Sequence, residues 1–498
     1  MEGYFVPENQ MVYAAPEAEG VSTQAILEFL DDIKSFHLPL HSYLVMRHGK
    51  VLAEGYCSKV FDENRKHRMY SVSKSFTSVA IGMLITEGRL TLNTKIVDVF
   101  PEYVTDATSD YAKRSTVRDL LRMATHNEEN AYKMEDTNCK DWIRPFIDNG
   151  VYHYYQQMPG TVFHYDTAAT TTLCAVIEKI TGMKMLEYMR PLLDELGISK
   201  DIWCIECPDG RSWPGSGIMA TTRDLAKFGQ FCLHRGEWNG KQLVDRDYMM
   251  AATTKQIDRY VTDSALNFPG YGYQFWIIEN GFACCGMGGQ FAFMFPEQDM
   301  VVITTADTQG LNSGDDQIRH AAVRLARKVK DETLTADAAL ADALAQASQL
   351  ELPKRPGKTT SPMAAKVSGK TYDLDENRWG YKWLRVDVDE NVCTLTYEKK
   401  GEVLQLPLYI GEYGEFAFPE KFSGKRSGVL DTNYRCMSQV AWDSEDTLVG
   451  TIYCVDDYLG NIRIQLTFVE DTLTVMMVKA AEGFFDDYRG YLCGHEQK

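Results

Sequence analysis

The 498-residue chain lacks the marks of several large protein classes. No run of eighteen apolar residues occurs, so no membrane span is expected. The opening stretch Met1-Glu2-Gly3-Tyr4-Phe5-Val6-Pro7-Glu8 has no basic n-region and no apolar h-region, so the expected location is cytoplasmic. Positive charge is in deficit: 52 Lys and Arg stand against 70 Asp and Glu, a net charge of -18. That argues against nucleic acid or an anionic membrane as a partner. H-E-x-x-H, G-x-x-x-x-G-K-[ST] and G-x-S-x-G are all missing, so metalloprotease, P-loop and nucleophile-elbow chemistries have no support. The C-x-x-C at Cys204-Ile205-Glu206-Cys207 has no second pair, and the twelve cysteines are scattered through the chain. They read as buried thiols rather than a zinc site or a disulfide framework. No metal and no organic cofactor is implied, and no internal repeat is visible.

What is present is ordinary globular material: 44% hydrophobic and 24% charged residues. A chain of this length can bury more than one core. Residues 22–36 have helical spacing with Ser22 or Thr23 as a cap, and 41–46 and 51–56 read as a strand pair around the turn Arg47-His48-Gly49-Lys50. Helices are expected over 75–90, 112–124, 167–181, 184–196, 221–234 and 316–331. A loop is expected from Thr125 to about Asp136. Strands are expected over 271–278, 289–295 and 300–305, the last two joined by the turn Pro296-Glu297-Gln298-Asp299. Composition then shifts. An Ala-rich helix (Ala336 to Ala347) runs into the Pro-rich stretch Leu352 to Pro362, a linker. Beyond it strict alternation, as in Val392-Cys393-Thr394-Leu395-Thr396-Tyr397, predicts an all-β barrel or sandwich of about eight strands. The expected domains are 1–335, a linker over 336–365, and 366–498.

The chemistry concentrates near Ser71-Val72-Ser73-Lys74. On a helix a hydroxyl and an amine three residues apart share a face. A lysine whose pKa is lowered by burial can then take the serine proton. The spacing alone is weak, since a capping serine and a solvated lysine would look the same. An acylating serine also needs a proton donor for the leaving group and hydrogen-bond donors for the oxyanion. Pro159-Gly160-Thr161-Val162-Phe163-His164-Tyr165-Asp166-Thr167 offers Tyr165 at an extended-to-helix corner, where a nearby ammonium would lower its pKa. Ala283-Cys284-Cys285-Gly286-Met287-Gly288-Gly289-Gln290-Phe291 offers a glycine-rich strand whose backbone a substrate can approach. His126 and His164 lie near these segments but read as structural.

In this order the three elements resemble the β-lactamase-related serine hydrolases. That group holds class C β-lactamases, DD-peptidases, related esterases and 6-aminohexanoate-dimer hydrolase. The resemblance covers roughly 15–330 and includes Leu44 to Lys50, Tyr70 to Ser78, Val117 to Met123, Pro159-Gly160-Thr161 and Gly215 to Ala226. It implies an α+β catalytic domain, an antiparallel sheet flanked by helices, with a helical region inserted between about 95 and 220 and an all-β C-terminal domain after it. It implies Ser71 as nucleophile, Lys74 as general base and Tyr165 as the family tyrosine, with Thr167 in the place of that element's Asn or Ser. The N–H groups of Ser71 and Gly286 would hold the oxyanion, with Cys285, Thr167 and Gln290 along the substrate. The departure is in the third element. Ala283-Cys284-Cys285 replaces the family's Lys-Thr-Gly or His-x-Gly, which removes the cation that binds a substrate carboxylate. The Gly-x-Gly-Gly-Gln ending is nearer the aminohexanoate-hydrolase-like branch.

The implied function is ester or amide hydrolysis on a small or peptide-like substrate. The alternatives are a β-lactamase or DD-peptidase, and a catalytically silent binding protein on the same fold. The C-terminal domain is expected either to cover the cleft or to build a homo-oligomer contact.

Overall fold

The computed structural model describes residues 11–127, 143–147, 156–207, 209–259, 268–311, 313–424, 429–480 and 487–498. Most of the loop expected from Thr125 to Asp136 lies outside them. The chain divides into two compact units, one running to Glu351 and one starting at Leu352.

The first unit is built on an eight-stranded sheet. Its strands are β1 (Leu40–Arg47), β2 (Lys50–Tyr56), β3 (Ile257–Asp258), β4 (Gly270–Tyr271), β5 (Trp276–Ile278), β6 (Gly281–Gly286), β7 (Gln290–Phe295) and β8 (Met300–Ala306). The spatial order is β2-β1-β8-β7-β6-β5-β4-β3, antiparallel throughout. The β1–β2 turn works because His48 and Gly49 both take positive φ, 50° and 73°. That is the mirror-image turn that matches strand twist.

Helices cover both faces of the sheet. They are α1 (Thr23–Ser35), α2 (Ser73–Thr86), α3 (Thr167–Thr181), α4 (Met185–Glu195), α5 (Thr222–Leu233) and α6 (Gly314–Arg327). Ser22 caps α1 by accepting from the Ala25 N–H, and Thr221 with Asp224 forms a capping box on α5. Ile26, Phe29 and Ile33 of α1 join Ile318 and Leu325 of α6 over Tyr43, Val45, Phe291, Phe293 and Val302. The opposite face carries α5. There Phe228 stacks on Phe76 of α2 with ring centroids 3.7 Å apart. Helix α2 is therefore buried on nearly every side, a rigid support for whatever precedes it.

Two expected elements are broken in the structure. The helix expected over 112–124 is a 3-10 turn (Ala112–Arg114) and a separate helix, Val117–Leu121. Thr116 interrupts it as an N-cap in extended conformation, closing a capping box with Asp119. The strand expected over 271–278 is β4 and β5 with a turn between them, in which Gln274 has φ 64°. The Gln274 amide donates to the carbonyls of Leu120 and Leu121 and accepts from the Thr170 hydroxyl. Satisfying those buried groups outweighs continuing the strand.

The second unit is a ten-stranded antiparallel sheet. It comprises β9 (Lys370–Leu374), β10 (Tyr381–Val388), β11 (Val392–Lys399), β12 (Glu402–Tyr409), β13 (Gly414–Ala417), β14 (Arg435–Trp442), β15 (Thr447–Val455), β16 (Leu459–Val469), β17 (Thr472–Ala480) and β18 (Gly490–Glu496). The order is β12-β11-β10-β9-β18-β17-β16-β15-β14-β13. The sheet curls until β12 reaches β14: Ser438 Oγ donates to the Pro407 carbonyl at 2.8 Å, and Ile410 bridges Val440. It is a near-barrel, and burial alternates residue by residue along β11. Short strands such as β13, four residues long, and the separate pair Phe422–Gly424 and Val429–Thr432 escape an alternation pattern, which is why twelve strands stand among the described residues where about eight were expected. A short helix, Pro362–Val367, begins at the last residue of the linker stretch.

Candidate active site

Ser71 lies in a 3-10 turn, Tyr70–Val72, directly ahead of α2. Tyr70 takes φ 45°, a left-handed conformation that strains a bulky L-residue. The buried Arg68 guanidinium, 4.4 Å from the Tyr70 ring centroid, packs against that ring. Four serines fall between Tyr70 and Ser78, and three serve the fold. Ser73 Oγ accepts from the Ile218 N–H at 3.0 Å, Ser75 Oγ donates to the Gln274 carbonyl at 2.7 Å, and Ser78 Oγ meets the Tyr248 hydroxyl at 3.0 Å. Half-buried Ser71 instead meets Lys74 Nζ at 2.9 Å and the Tyr165 hydroxyl.

Lys74 is 1% exposed. Its Nζ also donates to the Gly215 carbonyl at 2.6 Å. A three-stranded sheet brings that carbonyl in: His67–Arg68 pairs with Ile218–Ala220, and Arg68 Nε donates to the Ser216 carbonyl at 3.0 Å. A Cβ on Gly215 would stand 2.4 Å from the Thr167 methyl and 3.8 Å from Nζ, so the approach needs glycine. Burial pulls Lys74 down to about 7, against the opposing charge of Asp166. An amine so placed is free to accept a proton near neutrality.

Tyr165 precedes α3, whose N-cap is Asp166, accepting from the Ala168 N–H at 2.8 Å. The Tyr165 ring stacks on Trp276 at 5.4 Å and meets Tyr271 edge-on at 6.3 Å. Lys74 Nζ lies 5.0 Å from the ring centroid. The expected lowering of the tyrosine pKa by the lysine is reversed: burial pushes it up. Nζ faces the ring, and desolvation dominates, so Tyr165 stays a neutral phenol.

The third wall is β6. A Cβ on Gly286 would fall 2.3 Å from the Met69 carbonyl oxygen, so the end of β6 lies directly against the serine turn. Cys284 faces Ser75, and burial pushes its thiol up to about 12. Cys285, 7% exposed, lies beside Tyr165 and Tyr271, and burial also pushes it well up. The two residues at the family's cation position are therefore neutral thiols. Thr167 sits against Gly215 through its methyl group.

Gln290 has a different place from the one expected. It is fully buried, donates to the Met287 and Ala306 carbonyls at 2.9 and 2.8 Å, and accepts from the Ala306 N–H at 3.1 Å. Its amide is spent on tying the β6–β7 turn to the end of β8. His126 is buried between Ser115 Oγ and the Phe146 carbonyl. Among the described residues no group of His, Cys, Asp and Glu could hold a metal ion, and no helix is long and apolar enough to cross a membrane.

Sequence reasoning missed Gly215 and Asp166 as site residues. Gly215 had no local signal beyond its neighbours Ser216 and Gly217. Asp166 is fully buried, accepts from Thr125 Oγ1 at 3.3 Å, and is pushed up to about 7 by burial.

The chain is 26% identical over 299 residues to the 6-aminohexanoate-dimer hydrolase of Paenarthrobacter ureafaciens, covering 55% of this chain and 76% of that protein. It is 25% identical over 259 residues to the protein flp of Staphylococcus aureus strain MW2, covering 45% of this chain and 51% of that protein. A solved structure from Bacillus anthracis, provisionally assigned as a 6-aminohexanoate-dimer hydrolase, superposes with a TM-score of 0.50 at 21% identity, over 65% of this chain and 89% of its own. The Beta-lactamase family model matches residues 37–327, more than half of the 498. The chain belongs to the β-lactamase family.

Proposed function

We propose that the protein is a serine hydrolase that cleaves an ester or amide bond through an acyl-enzyme on Ser71. The observation that carries this reading is the buried contact of Lys74 Nζ with Ser71 Oγ at 2.9 Å, made by an amine that burial has brought down to about 7. Family membership and the hydrolase name of the Paenarthrobacter ureafaciens relative support it.

In this mechanism Lys74 takes the Ser71 proton as Oγ attacks the carbonyl carbon. The oxyanion is held by the N–H groups of Ser71 and Gly286, which the close approach of β6 to the serine turn favours. The ammonium proton then passes to the leaving group through the Tyr165 hydroxyl, which stays protonated between transfers. Water, deprotonated along the same path, releases the acyl group and restores Ser71. The neutral thiols of Cys284 and Cys285 favour a substrate with no carboxylate at that end, which ranks a small ester or amide above a penicillin or a D-Ala-D-Ala terminus.

Two assays test this. A fluorophosphonate probe followed by mass spectrometry is expected to label Ser71 in the native protein and not in Lys74→Ala. Absence of an adduct, or an equal adduct in the variant, would sink the assignment of Ser71 and Lys74 as a catalytic pair. Parallel hydrolysis of p-nitrophenyl butyrate and nitrocefin is expected to favour the ester. A clear preference for nitrocefin would restore the β-lactamase reading.

A further inference from the structure

Two of the scattered cysteines meet in the second unit. Cys436 of β14 and Cys454 of β15 are direct cross-strand partners in an unbroken register. No other two cysteines are register partners among the described residues. Both are buried, at 0% and 1% exposure. Their thiols share a hydrogen bond, and Cys454 Sγ donates to the Tyr458 carbonyl at 2.9 Å.

The backbone pattern decides how close the two stand. Antiparallel partners alternate between hydrogen-bonded pairs and closer, non-hydrogen-bonded ones. At the hairpin end the Asp443 N–H donates to the Thr447 carbonyl at 3.0 Å. Alternation back along the register puts Cys436 and Cys454 at a non-hydrogen-bonded position. The far side of β14 agrees. There the Phe418 N–H donates to the Tyr434 carbonyl at 2.7 Å. Two residues on, Cys436 therefore turns its backbone groups toward Phe416 of β13 and away from Cys454. Partners at such a position have Cα atoms about 4.5 Å apart and Cβ atoms about 4.5–5 Å apart. A disulfide spans Cα separations of about 4.4–6.8 Å and Cβ separations of about 3.5–4.5 Å. The bond can close with a shift of under about 1 Å. On its other flank Cys454 faces Gly460, which has no side chain to crowd the sulfur.

We propose that Cys436 and Cys454 form a redox site, a dithiol that a low-molecular-weight disulfide converts into a staple between β14 and β15. This proposal is independent of the serine-hydrolase reading. One cysteine attacks the small disulfide as its thiolate, and a mixed disulfide forms as one small thiol leaves. The other cysteine then attacks the mixed disulfide, closes the Cys436–Cys454 bond and expels the second small thiol. The two protein thiols are oxidised, the reagent is reduced to two thiols, and the two protein protons end on them. Burial pushes the Cys454 thiol up and keeps it protonated, so exchange waits on local opening. Strand β13, four residues long, ends the sheet beside β14, and short edges open more readily than a sheet's centre. Two thiols that only filled the core would need no shared register position.

The test is thiol–disulfide exchange on the full chain. The protein is incubated with excess oxidised glutathione in sub-denaturing urea, and a second sample is unfolded and refolded with the same reagent. Both are quenched with N-ethylmaleimide and mapped by peptide mass spectrometry without reduction. A Cys436–Cys454 crosslink is expected as the main intramolecular product, with the mass of two hydrogens lost and full reversal by dithiothreitol. In Cys436→Ser that crosslink is expected to vanish, with Cys454 carrying glutathione or N-ethylmaleimide. N-ethylmaleimide on both residues after both treatments, or crosslinks to other cysteines in their place, overturns the proposal and leaves the pair as core filling.

Discussion

Two buried lysines, one in each unit, meet their surroundings in opposite ways. Lys399, 2% exposed on β11, is held by both oxygens of Glu420 at 2.7 and 2.8 Å and by Asp487 at 3.3 Å. The Tyr488 and Tyr381 rings lie 4.6 and 5.2 Å from its Nζ. Lys74, 1% exposed, touches a hydroxyl and a carbonyl, and its acid acts from further away. A lysine gripped by carboxylates is a structural clamp. A lysine offered only neutral acceptors gives up its proton more easily and can serve as a base. The difference lies in the partners, since the burial is the same.

That contrast can be broken at several points. The largest effect is expected for Lys74→Ala: about a thousandfold loss of ester hydrolysis, as for removal of a general base, measured as kcat/KM at neutral pH. Lys74→Met is expected to lose activity equally while keeping or raising Tm, because a buried amine that is costly to desolvate has gone. A large fall in Tm would show that Lys74, like Lys399, is a clamp. Lys399→Met should behave in reverse. It leaves Glu420 without its lysine while Asp487 keeps Lys400 at 2.6 Å, at a cost of about 3 kcal/mol, read by urea unfolding, with Ser71 labelling unchanged under native conditions. Tyr165→Phe keeps the ring on Trp276 and loses the hydroxyl, so about a hundredfold drop in kcat is expected with Tm held; an unchanged kcat would remove Tyr165 from the proton path. The smallest effect is expected for Gln290→Ala. Loss of its three amide contacts to Met287 and Ala306 should lower stability by about 2 kcal/mol, and a selective rise in KM without loss of stability would return Gln290 to the substrate site.

Much of this was legible in the sequence, and the illegible part follows a physical pattern. Ser71, Lys74 and Tyr165 could be singled out as candidates because helical spacing and a turn-to-helix corner are local signals. So could α1 with its Ser22 cap, the β1–β2 hairpin and the alternation of β11. The break at Thr116 also had a local signal, the Thr116–Asp119 capping box, outweighed by the run of helix formers around it. Asp166 and Gly215 had none: one acid among 70 acidic residues becomes distinct only when folding buries it completely. The direction of the Tyr165 shift was misjudged for the same reason, because a nearby charge can be guessed from sequence but the degree of desolvation cannot. Gln290 looked like a substrate contact because it ends a glycine-rich strand. Only the β7–β8 pairing reveals that its amide is already committed.

The central claim is that Lys74 is a buried base for Ser71. Its most direct test is the rate of fluorophosphonate labelling as a function of pH, with the adduct located by mass spectrometry. The account predicts modification of Ser71 at a rate that rises with pH through about 7, as Lys74 loses its proton, and that collapses in Lys74→Met. A rate that ignores pH across that range, or an adduct that forms as fast without Lys74, would contradict it.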